Sequence, residues 1–278
     1  MSELRTRMEF ASEAARAAGK VVLRHYQTDL AVERKADESP VTAADRASER
    51  LLRERISARY PDDGILGEEF GDLPGRSSWN WILDPIDGTK SFIQGVPLFG
   101  VLIGLESPDG VEVGVVYLPA LDELVSAARG EGCWWDGKRA SVSRVRTLDD
   151  ACLAYTSEKT FRDKGAEAVE AWGRLCGASR LQRGWGDCYG HILVATGRAD
   201  AMFDPVLSTW DCAALLPIVE EAGGTFTDWG GRRTIRGGSG VSTNGHLFRP
   251  IFSLMQGEKA GAPSDTRPSG AETRLSAR

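Results

Sequence analysis

Apolar residues near the start of the chain recur at the spacing of an α-helix. Leu4, Met8, Ala11 and Ala15 fall near one face, and this pattern predicts a helix over residues 3–27. The polar positions between them favour a helix that packs one face on a core and leaves the other in solvent. The sequence therefore predicts a long amphipathic helix, followed by a polar loop.

A second helix is predicted between Thr42 and Tyr60. Leu52 lies on its apolar face, and Thr42 with Asp45 three residues later matches a capping box. In that motif each of the two side chains binds the backbone N–H of the other residue. The turn-forming residues 61–64, which include Pro and Gly, are expected to end this helix.

Between residues 65 and 128 the helical period gives way to short apolar runs separated by turn residues. The predicted strands are Ile65–Leu66, Trp79–Leu83, Leu98–Leu105, Val111–Leu118 and Glu123–Ala128. The connections at 108–110 and 119–120 are short enough to join neighbouring antiparallel strands. The run therefore predicts a β-meander in a sheet that is at least partly antiparallel.

The second half alternates between predicted strands and helices. Strands are predicted at Cys152–Tyr155, Ala201–Phe203 and Thr225–Asp228, and helices at 163–176, 189–196 and 210–222. The chain thus has the pattern of an α/β protein with mixed (α+β) sheets, layered from two packed halves, 1–145 and 146–256. Residues 257–278 are rich in Gly, Ala, Pro, Ser and Thr, and we expect a disordered tail there.

Composition argues against several classes of function. The 278 residues carry a net charge of −6 and no basic block, so nucleic acid is not expected as a partner. The sequence lacks both a long apolar run and a signal-peptide pattern, and we expect no membrane partner. Five cysteines without a CxxC pair favour a reducing cytoplasm over a disulfide framework or a zinc site. The three histidines are scattered, so any metal is expected to have oxygen ligands.

The candidate chemistry centres on residues 81–89, which read Trp-Ile-Leu-Asp-Pro-Ile-Asp-Gly-Thr. A buried strand that runs into a tight turn would hold Asp84 and Asp87 at its tip, and two anions so close together need a cation. The same turn offers backbone N–H groups at Gly88 and Thr89 that suit a phosphate. A plain turn explains Asp87 and Gly88 but leaves the second carboxylate unexplained.

Other carboxylates stand at the ends of predicted elements. Glu68 and Glu69 follow a short strand, while Asp45 and Asp211 lie in first turns of helices. Taken alone, the glutamates are explained by a solvated loop and the aspartates by the helix dipole. Residues 84–95 lack the ligand pattern of an EF-hand. The Asp-x-Asp spacing of aspartyl-phosphate phosphatases is also absent here, which disfavours a covalent intermediate.

Three motifs in order change this picture. They are Gly67-Glu68-Glu69, the Asp84–Thr89 run, and Trp210-Asp211 before a helix that ends in Glu220–Gly224. Together they resemble the inositol monophosphatase superfamily, over roughly residues 5–250. The resemblance implies an α-β-α-β-α layered sandwich, Mg²⁺-dependent hydrolysis of a small phosphate monoester, two or three Mg²⁺ ions per site, and a homodimer.

The resemblance also implies a set of metal ligands. Glu68, Asp84 and the Ile86 carbonyl would hold the first ion, and Asp84, Asp87 and Asp211 the second. Glu68 would share a third, more weakly bound ion. These oxygen ligands are the type that Mg²⁺ prefers, and several such ions would neutralise the phosphate and activate water.

By the same resemblance, Gly88 and Thr89 would donate backbone N–H groups to the phosphate. The Thr89 hydroxyl, paired with Asp45, would orient the attacking water, and Asp45 would lie near the water shell of the third ion. Glu68, Thr89 and Asp45 are thus the candidate catalytic residues.

The leaving alcohol should be recognised in the second half. The run from Trp185 to Trp229 is similar to the histidinol-phosphate phosphatases of the superfamily, and Asp187 and Asp204 are candidate partners for an ammonium and an imidazole. A helix N-cap at Asp187 and an Asp-Pro turn at Asp204 are the simpler explanations. An inositol-1-monophosphatase, a 3'(2'),5'-bisphosphate nucleotidase and a binding protein without activity are the alternative functions.

Overall fold

The computed structural model of the chain describes residues 2–28, 32–34 and 40–257. The helices are α1 (Glu3–Leu23), α2 (Ala43–Arg59), α3 (Thr89–Ile93), α4 (Glu158–Lys164), α5 (Ala166–Ala178), α6 (Asp187–Ala195), α7 (Thr209–Ala213), α8 (Leu215–Glu221) and α9 (Phe248–Met255). The strands are β1 (Glu33–Arg34), β2 (Pro40–Val41), β3 (Gly64–Gly67), β4 (Gly71–Leu73), β5 (Asn80–Asp87), β6 (Gly100–Ser107), β7 (Gly110–Leu118), β8 (Glu123–Ala128), β9 (Gly132–Trp135), β10 (Lys138–Arg139), β11 (Cys152–Tyr155), β12 (Leu181–Arg183), β13 (Ala201–Asp204), β14 (Thr225–Thr227) and β15 (Gly240–Thr243).

The strands of the described residues form two main sheets. The first has the order β10-β9-β8-β7-β6-β5-β3-β4, and the second has the order β12-β11-β13-β15-β14. The predicted meander is confirmed, because β5 to β9 pair antiparallel in chain order. Parallel pairs join β3 to β5 and flank β11, so both sheets are mixed. β1 and β2 form a separate antiparallel pair.

The faces of the sheets explain the layers. Side chains alternate along a strand, so Trp81 and Leu83 pack under α1 and α2, whereas Ile82 lies in a cluster with Ile192 and Phe226 on the opposite face. That second cluster holds α6, α7 and α8 between the two sheets. Helices α4, α5 and α9 cover the far face of the second sheet. The predicted α-β-α-β-α sandwich is confirmed.

Two predicted helices are each broken into two. The helix predicted over 163–176 is wrong at its start, because Gly165 separates α4 from α5 with a φ of 125°, outside the helical region. The helix predicted over 210–222 is interrupted between α7 and α8. Pro217 lacks the N–H that would bond the carbonyl of Ala213, so a continuous ladder cannot form there.

The strands of the first sheet come from before position 145 in the sequence, and those of the second sheet come from after it. The first takes its strands from residues 64–139 and the second from residues 152–243. The division at 145 stays a prediction, since the apolar cluster between the sheets draws on both halves. Apart from Gly257, the predicted tail lies outside the described residues. Among the described residues, no helix is both long enough and apolar enough to cross a membrane.

A buried ion pair fastens α1 to the first sheet. Arg7 Nη1 donates to Asp63 Oδ2 at 2.6 Å, and both side chains are less than one-tenth exposed. Asp63 also accepts hydrogen bonds from Ser77 Oγ and from Trp81 Nε1. The guanidinium lies 4.4 Å from the centre of the Tyr60 ring. Because Arg7 and Asp63 are both buried, loss of one charge would leave the other poorly compensated.

We expect Asp63→Asn to lower the free energy of unfolding by about 3 kcal/mol, because the buried Arg7 then keeps only the exposed Glu3 as a counter-charge. Urea denaturation followed by circular dichroism measures this. Glu9→Gln is the matched control on the same helix, since Glu9 pairs with Arg5 in solvent and should cost less than about 1 kcal/mol. Equal effects of the two changes would contradict the prediction.

Candidate active site

The turn after β5 holds the first group of predicted site residues. β5 is buried from Trp81 to Asp87 and pairs with β6 as far as Asp84, beyond which the register shifts before Asp87. Within the turn, the N–H of Ile86 donates to Asp84 Oδ1 at 3.1 Å, and the Thr89 hydroxyl donates to the Ile86 carbonyl at 2.9 Å. The chain leaves the ladder here, and its own side chains fix the turn.

Asp84, Asp87 and Asp211 come together at this turn. Each offers one carboxylate oxygen, and these oxygens all lie within 4.8 Å of one another. Asp211 arrives from the second half on the first turn of α7, where its Oδ2 accepts the N–H of Ser208 at 2.6 Å. Asp211 therefore caps the start of α7 and also belongs to the acidic trio.

The electrostatics of this trio fit a cation. Burial raises the pKa of Asp84 well above its usual value, and the charges of Glu68, Asp87 and Asp211 raise it further. Burial also raises the pKa of Asp87, with added effects from Asp187 and Asp211. Buried carboxylates that repel one another are held in their charged form by a positive partner. Oxygen donors of this kind suit a hard divalent ion.

Glu68 lies beside the trio because of the sheet topology. β3 and β5 are parallel neighbours, with Gly67 opposite Leu83, so the residues that follow each strand meet at the same edge. The N–H of Glu68 donates to the Leu83 carbonyl at 3.3 Å, one residue before Asp84. The effect of the Glu68 charge on the pKa of Asp84 is consistent with their closeness.

Asp45 and Thr89 each have hydrogen-bond partners near their own position in the chain. Asp45 is buried and accepts the N–H of Thr42 at 2.8 Å as part of the predicted capping box, and it also accepts the Thr42 hydroxyl at 2.7 Å. Burial raises the pKa of Asp45, and the nearby charge of Glu69 adds to that effect. Because Thr89 has one hydroxyl proton and donates it to Ile86, its role towards Asp45 stays a prediction.

Gly88 is the point at which the turn has no room for a side chain. Its φ is 81°, and a Cβ atom would lie 2.9 Å from the Leu98 carbonyl oxygen and 3.2 Å from Asp187 Oδ2. The Asp187 carboxylate therefore reaches the turn from the other half of the chain. The two N–H groups predicted to bind phosphate thus belong to a turn that Asp187 approaches and that follows Asp84 and Asp87.

Asp187 has a strained backbone at the start of α6. Its φ of 55° lies in the left-handed region, which non-glycine residues seldom adopt. Thr156 Oγ1 accepts its N–H at 2.8 Å, and the next N–H, that of Cys188, donates to Asp87. The N-cap of α6 is Gly186, so capping does not explain Asp187. Strain of this kind is typical of functional sites.

The charge environment of Asp187 links it to Asp204. Burial raises the pKa of Asp187 to about 7, the Asp204 charge adds to the shift, and Lys90 opposes it. Asp204 is itself buried at the end of β13, where His191 Nε2 lies 3.3 Å from its Oδ2. His191 Nδ1 lies 2.6 Å from Ser242 Oγ. The structure thus places Asp204 close to Asp187, which itself reaches the Gly88 turn.

Comparison with known proteins identifies the family. The sequence profile described as "Inositol monophosphatase family" matches residues 3–258. The chain belongs to the inositol monophosphatase family. Members of this family are metal-dependent, in keeping with the acidic trio. The predictions of the superfamily and of a phosphoric monoester hydrolase are confirmed.

Individual members of the inositol monophosphatase family resemble the chain over almost its whole length. It is 44% identical over 250 residues to a histidinol-phosphatase of Chlorobaculum parvum, covering 89% of this chain and 96% of that protein. It is 41% identical over 247 residues to a histidinol-phosphatase of Mycobacterium tuberculosis, covering 87% and 94%. The crystal structure of extragenic suppressor protein suhB from Bartonella henselae superposes with a TM-score of 0.84 at 30% identity, covering 90% and 98%.

Three residues of this inositol monophosphatase site were missed in the sequence. Ser48 and Glu49 contact the two loops that carry the acidic residues, and His191 contacts Asp204. The sequence does contain a pattern that indicates Ser48 and Glu49. Both share one face of α2 with Asp45 and Leu52 at helical spacing. Polar side chains on a buried helix face need partners, and here those partners are the site loops.

Proposed function

We propose that this chain is a Mg²⁺-dependent histidinol-phosphate phosphatase, which releases L-histidinol and inorganic phosphate in histidine biosynthesis. The observation that carries the proposal is the pair Asp187 and Asp204 beside the Gly88 turn. The likeness to two histidinol-phosphatases supports it. We also propose that the enzyme is a cytoplasmic homodimer without nucleic-acid or membrane partners.

The residues that would hold Mg²⁺ are those of the acidic cluster. Glu68, Asp84 and the Ile86 carbonyl would hold one ion, and Asp84, Asp87 and Asp211 a second, with a third shared through Glu68. When bound, the ions would neutralise charge on the phosphate and the leaving alkoxide and would lower the pKa of water. The protein would hold these oxygens at one edge of the sheet. It would not supply a nucleophile of its own.

The phosphate would lie against the Gly88 turn. Backbone N–H groups of Gly88 and Thr89 would donate to its oxygens, as the start of α3 allows. Asp45 and the Thr89 hydroxyl would orient the water that attacks phosphorus. Since water is the nucleophile, no covalent intermediate forms on the enzyme.

The leaving group would be recognised by charge. Histidinol phosphate carries an ammonium and an imidazole, and the neighbouring carboxylates of Asp187 and Asp204 would bind these groups. A cation bound next to Asp187 would favour its ionised form against the burial that raises its pKa. Inositol has only hydroxyl groups, which form weaker hydrogen bonds with such carboxylates than a cation does.

A panel of phosphomonoesters tests the proposal. We expect kcat/KM with Mg²⁺ to be about 10-fold to 100-fold higher for histidinol phosphate than for inositol 1-phosphate, the worth of one charge-assisted hydrogen bond. Phosphate release is measured for both esters and for a 3',5'-bisphosphate nucleotide, with EDTA as the control. Faster hydrolysis of inositol phosphate or the nucleotide would refute the substrate. Hydrolysis of none would favour a protein without activity.

A further inference from the structure

Glu49 is a fully buried carboxylate on α2 that the reaction does not use. Its Oε2 accepts the N–H of Glu69 at 2.7 Å, and its Oε1 accepts the N–H of Phe70 at 3.2 Å. Arg53, one helical turn later, donates Nε to the same Oε1 at 2.7 Å. The carboxylate is therefore bonded chiefly to the loop between β3 and β4, directly after Glu68.

The loop is folded closely around this carboxylate. A Cβ atom at Gly67 would lie 2.0 Å from Glu49 Oε1, so only glycine allows the approach. Arg53 also donates to the Gly71 carbonyl at the far end of the loop. Glu68 thus lies in a segment that is held at Gly67, at Gly71 and at the two N–H groups between them.

The peptide between Glu68 and Glu69 joins two carboxylates that lie near different acidic groups. Beyond the effect of burial, the Glu68 charge acts on Asp84, whereas the Glu69 charge acts on Asp45. The two adjacent side chains therefore serve different neighbours. The N–H of their shared peptide is the group that Glu49 Oε2 holds at 2.7 Å, so Glu49 fixes the orientation of that peptide.

The neighbouring helix residue contacts the second site loop. Ser48 is buried, and its hydroxyl donates to the Pro85 carbonyl at 3.2 Å, between Asp84 and Asp87. Consecutive residues of α2 therefore hold the loop of Glu68 and the turn of Asp84 relative to each other. Mg²⁺ demands nearly ideal octahedral geometry, so its affinity is sensitive to small displacements between these loops.

We propose that Glu49 is a positioning residue of the metal site, which holds the Glu68–Glu69 peptide so that the Glu68 carboxylate faces the Asp84 turn. Ser48 assists by fixing that turn to the same helix. The proposal rests on the proposed function in one respect, that Glu68 is a metal ligand. It does not depend on which phosphate ester is hydrolysed.

Mn²⁺ binding measured by isothermal titration calorimetry, without substrate, tests the proposal. We expect Glu49→Gln to weaken binding about 10-fold to 100-fold, the usual effect of losing a group that orients a metal ligand. Turnover at saturating Mg²⁺ should stay within about threefold of the wild type, since all proposed ligands remain. Glu54→Gln, an exposed glutamate on the same helix, is the matched control and should bind Mn²⁺ as the wild type does.

A double-mutant cycle separates positioning from a purely structural role. If Glu49 acts through Glu68, Glu49→Gln should change Mn²⁺ affinity by less than about twofold in a Glu68→Gln background. An undiminished effect in that background, or wild-type affinity in the single variant, would overturn the proposal. Should Glu49→Gln fail to fold, Arg53→Met loosens the same carboxylate and should weaken Mn²⁺ binding, and unchanged binding would count against it.

These outcomes are distinct from failure of the proposed substrate. An enzyme that prefers another ester but loses Mn²⁺ affinity with Glu49→Gln would support the positioning role while refuting histidinol phosphate. A wild-type protein that binds no Mn²⁺ or Mg²⁺ would overturn the metal site and the role of Glu49 together.

Discussion

Asp84→Asn is expected to reduce kcat by at least about a thousandfold, because metal ions contribute several kcal/mol of transition-state stabilisation and Asp84 is proposed to hold two of them. Its oxygen lies within 4.8 Å of the corresponding oxygens of Asp87 and Asp211, so no neighbour can replace it without leaving its own position. Steady-state phosphate release with saturating Mg²⁺ measures the effect.

The same change should leave the metal-free protein at least as stable as the wild type. The pKa of Asp84 is raised in the folded state, first by burial and then by Glu68, so its negative charge opposes folding at neutral pH. Asn removes that charge and keeps the shape. Urea denaturation in EDTA checks this, with Asp109→Asn in the exposed β6–β7 turn as the control. A near-normal rate for Asp84→Asn would refute the metal assignment.

Asp204→Asn is expected to raise KM for histidinol phosphate about 10-fold to 100-fold and KM for an aryl phosphate by less than about twofold. Asn keeps a partner for His191 Nε2, so the buried hydrogen bond survives while the charge is lost. An aryl phosphate has neither ammonium nor imidazole and serves as the substrate control.

A second buried aspartate provides the protein control for this prediction. Asp200 binds Ser143 and the N–H of Cys152, and Asp200→Asn should affect stability without changing the ratio of the two KM values. If Asp204→Asn changes both KM values equally, Asp204 does not recognise the alcohol. Its contact with His191 would then be structural.

The elements that the sequence predicted well are those with a strong local signal. Thr42 and Asp45 form the predicted capping box, and Glu123–Ala128 and Cys152–Tyr155 are strands with the predicted bounds. β15 and α9 were not predicted, because β15 begins in a Gly-Gly-Ser-Gly run typical of a loop and α9 contains Pro250. Their positions are set by packing, with Gly240–Thr243 paired between β13 and β14.

The acidic cluster was predictable in membership but not in geometry. Asp84 and Asp87 share a turn that is visible in the sequence, whereas Asp211 is more than a hundred residues away and joins them only through the family resemblance. The left-handed backbone of Asp187 has no sequence signal, because such a φ usually marks glycine. Glu49 belongs to no motif, but its charge on the buried face of a helix indicates that it needs hydrogen-bond partners.

The middle layer of the sandwich has a consequence for how activity arises during folding. Asp84 and Asp87 come from the first sheet, but Asp211 and the Cys188 N–H that contacts Asp87 come from α7 and α6, which the apolar cluster holds between the sheets. In the proposed assignment, neither half of the chain contains all of the metal ligands. On that assignment, turnover should report the docking of one half on the other, and we expect newly made chains to stay inert until that interface has closed.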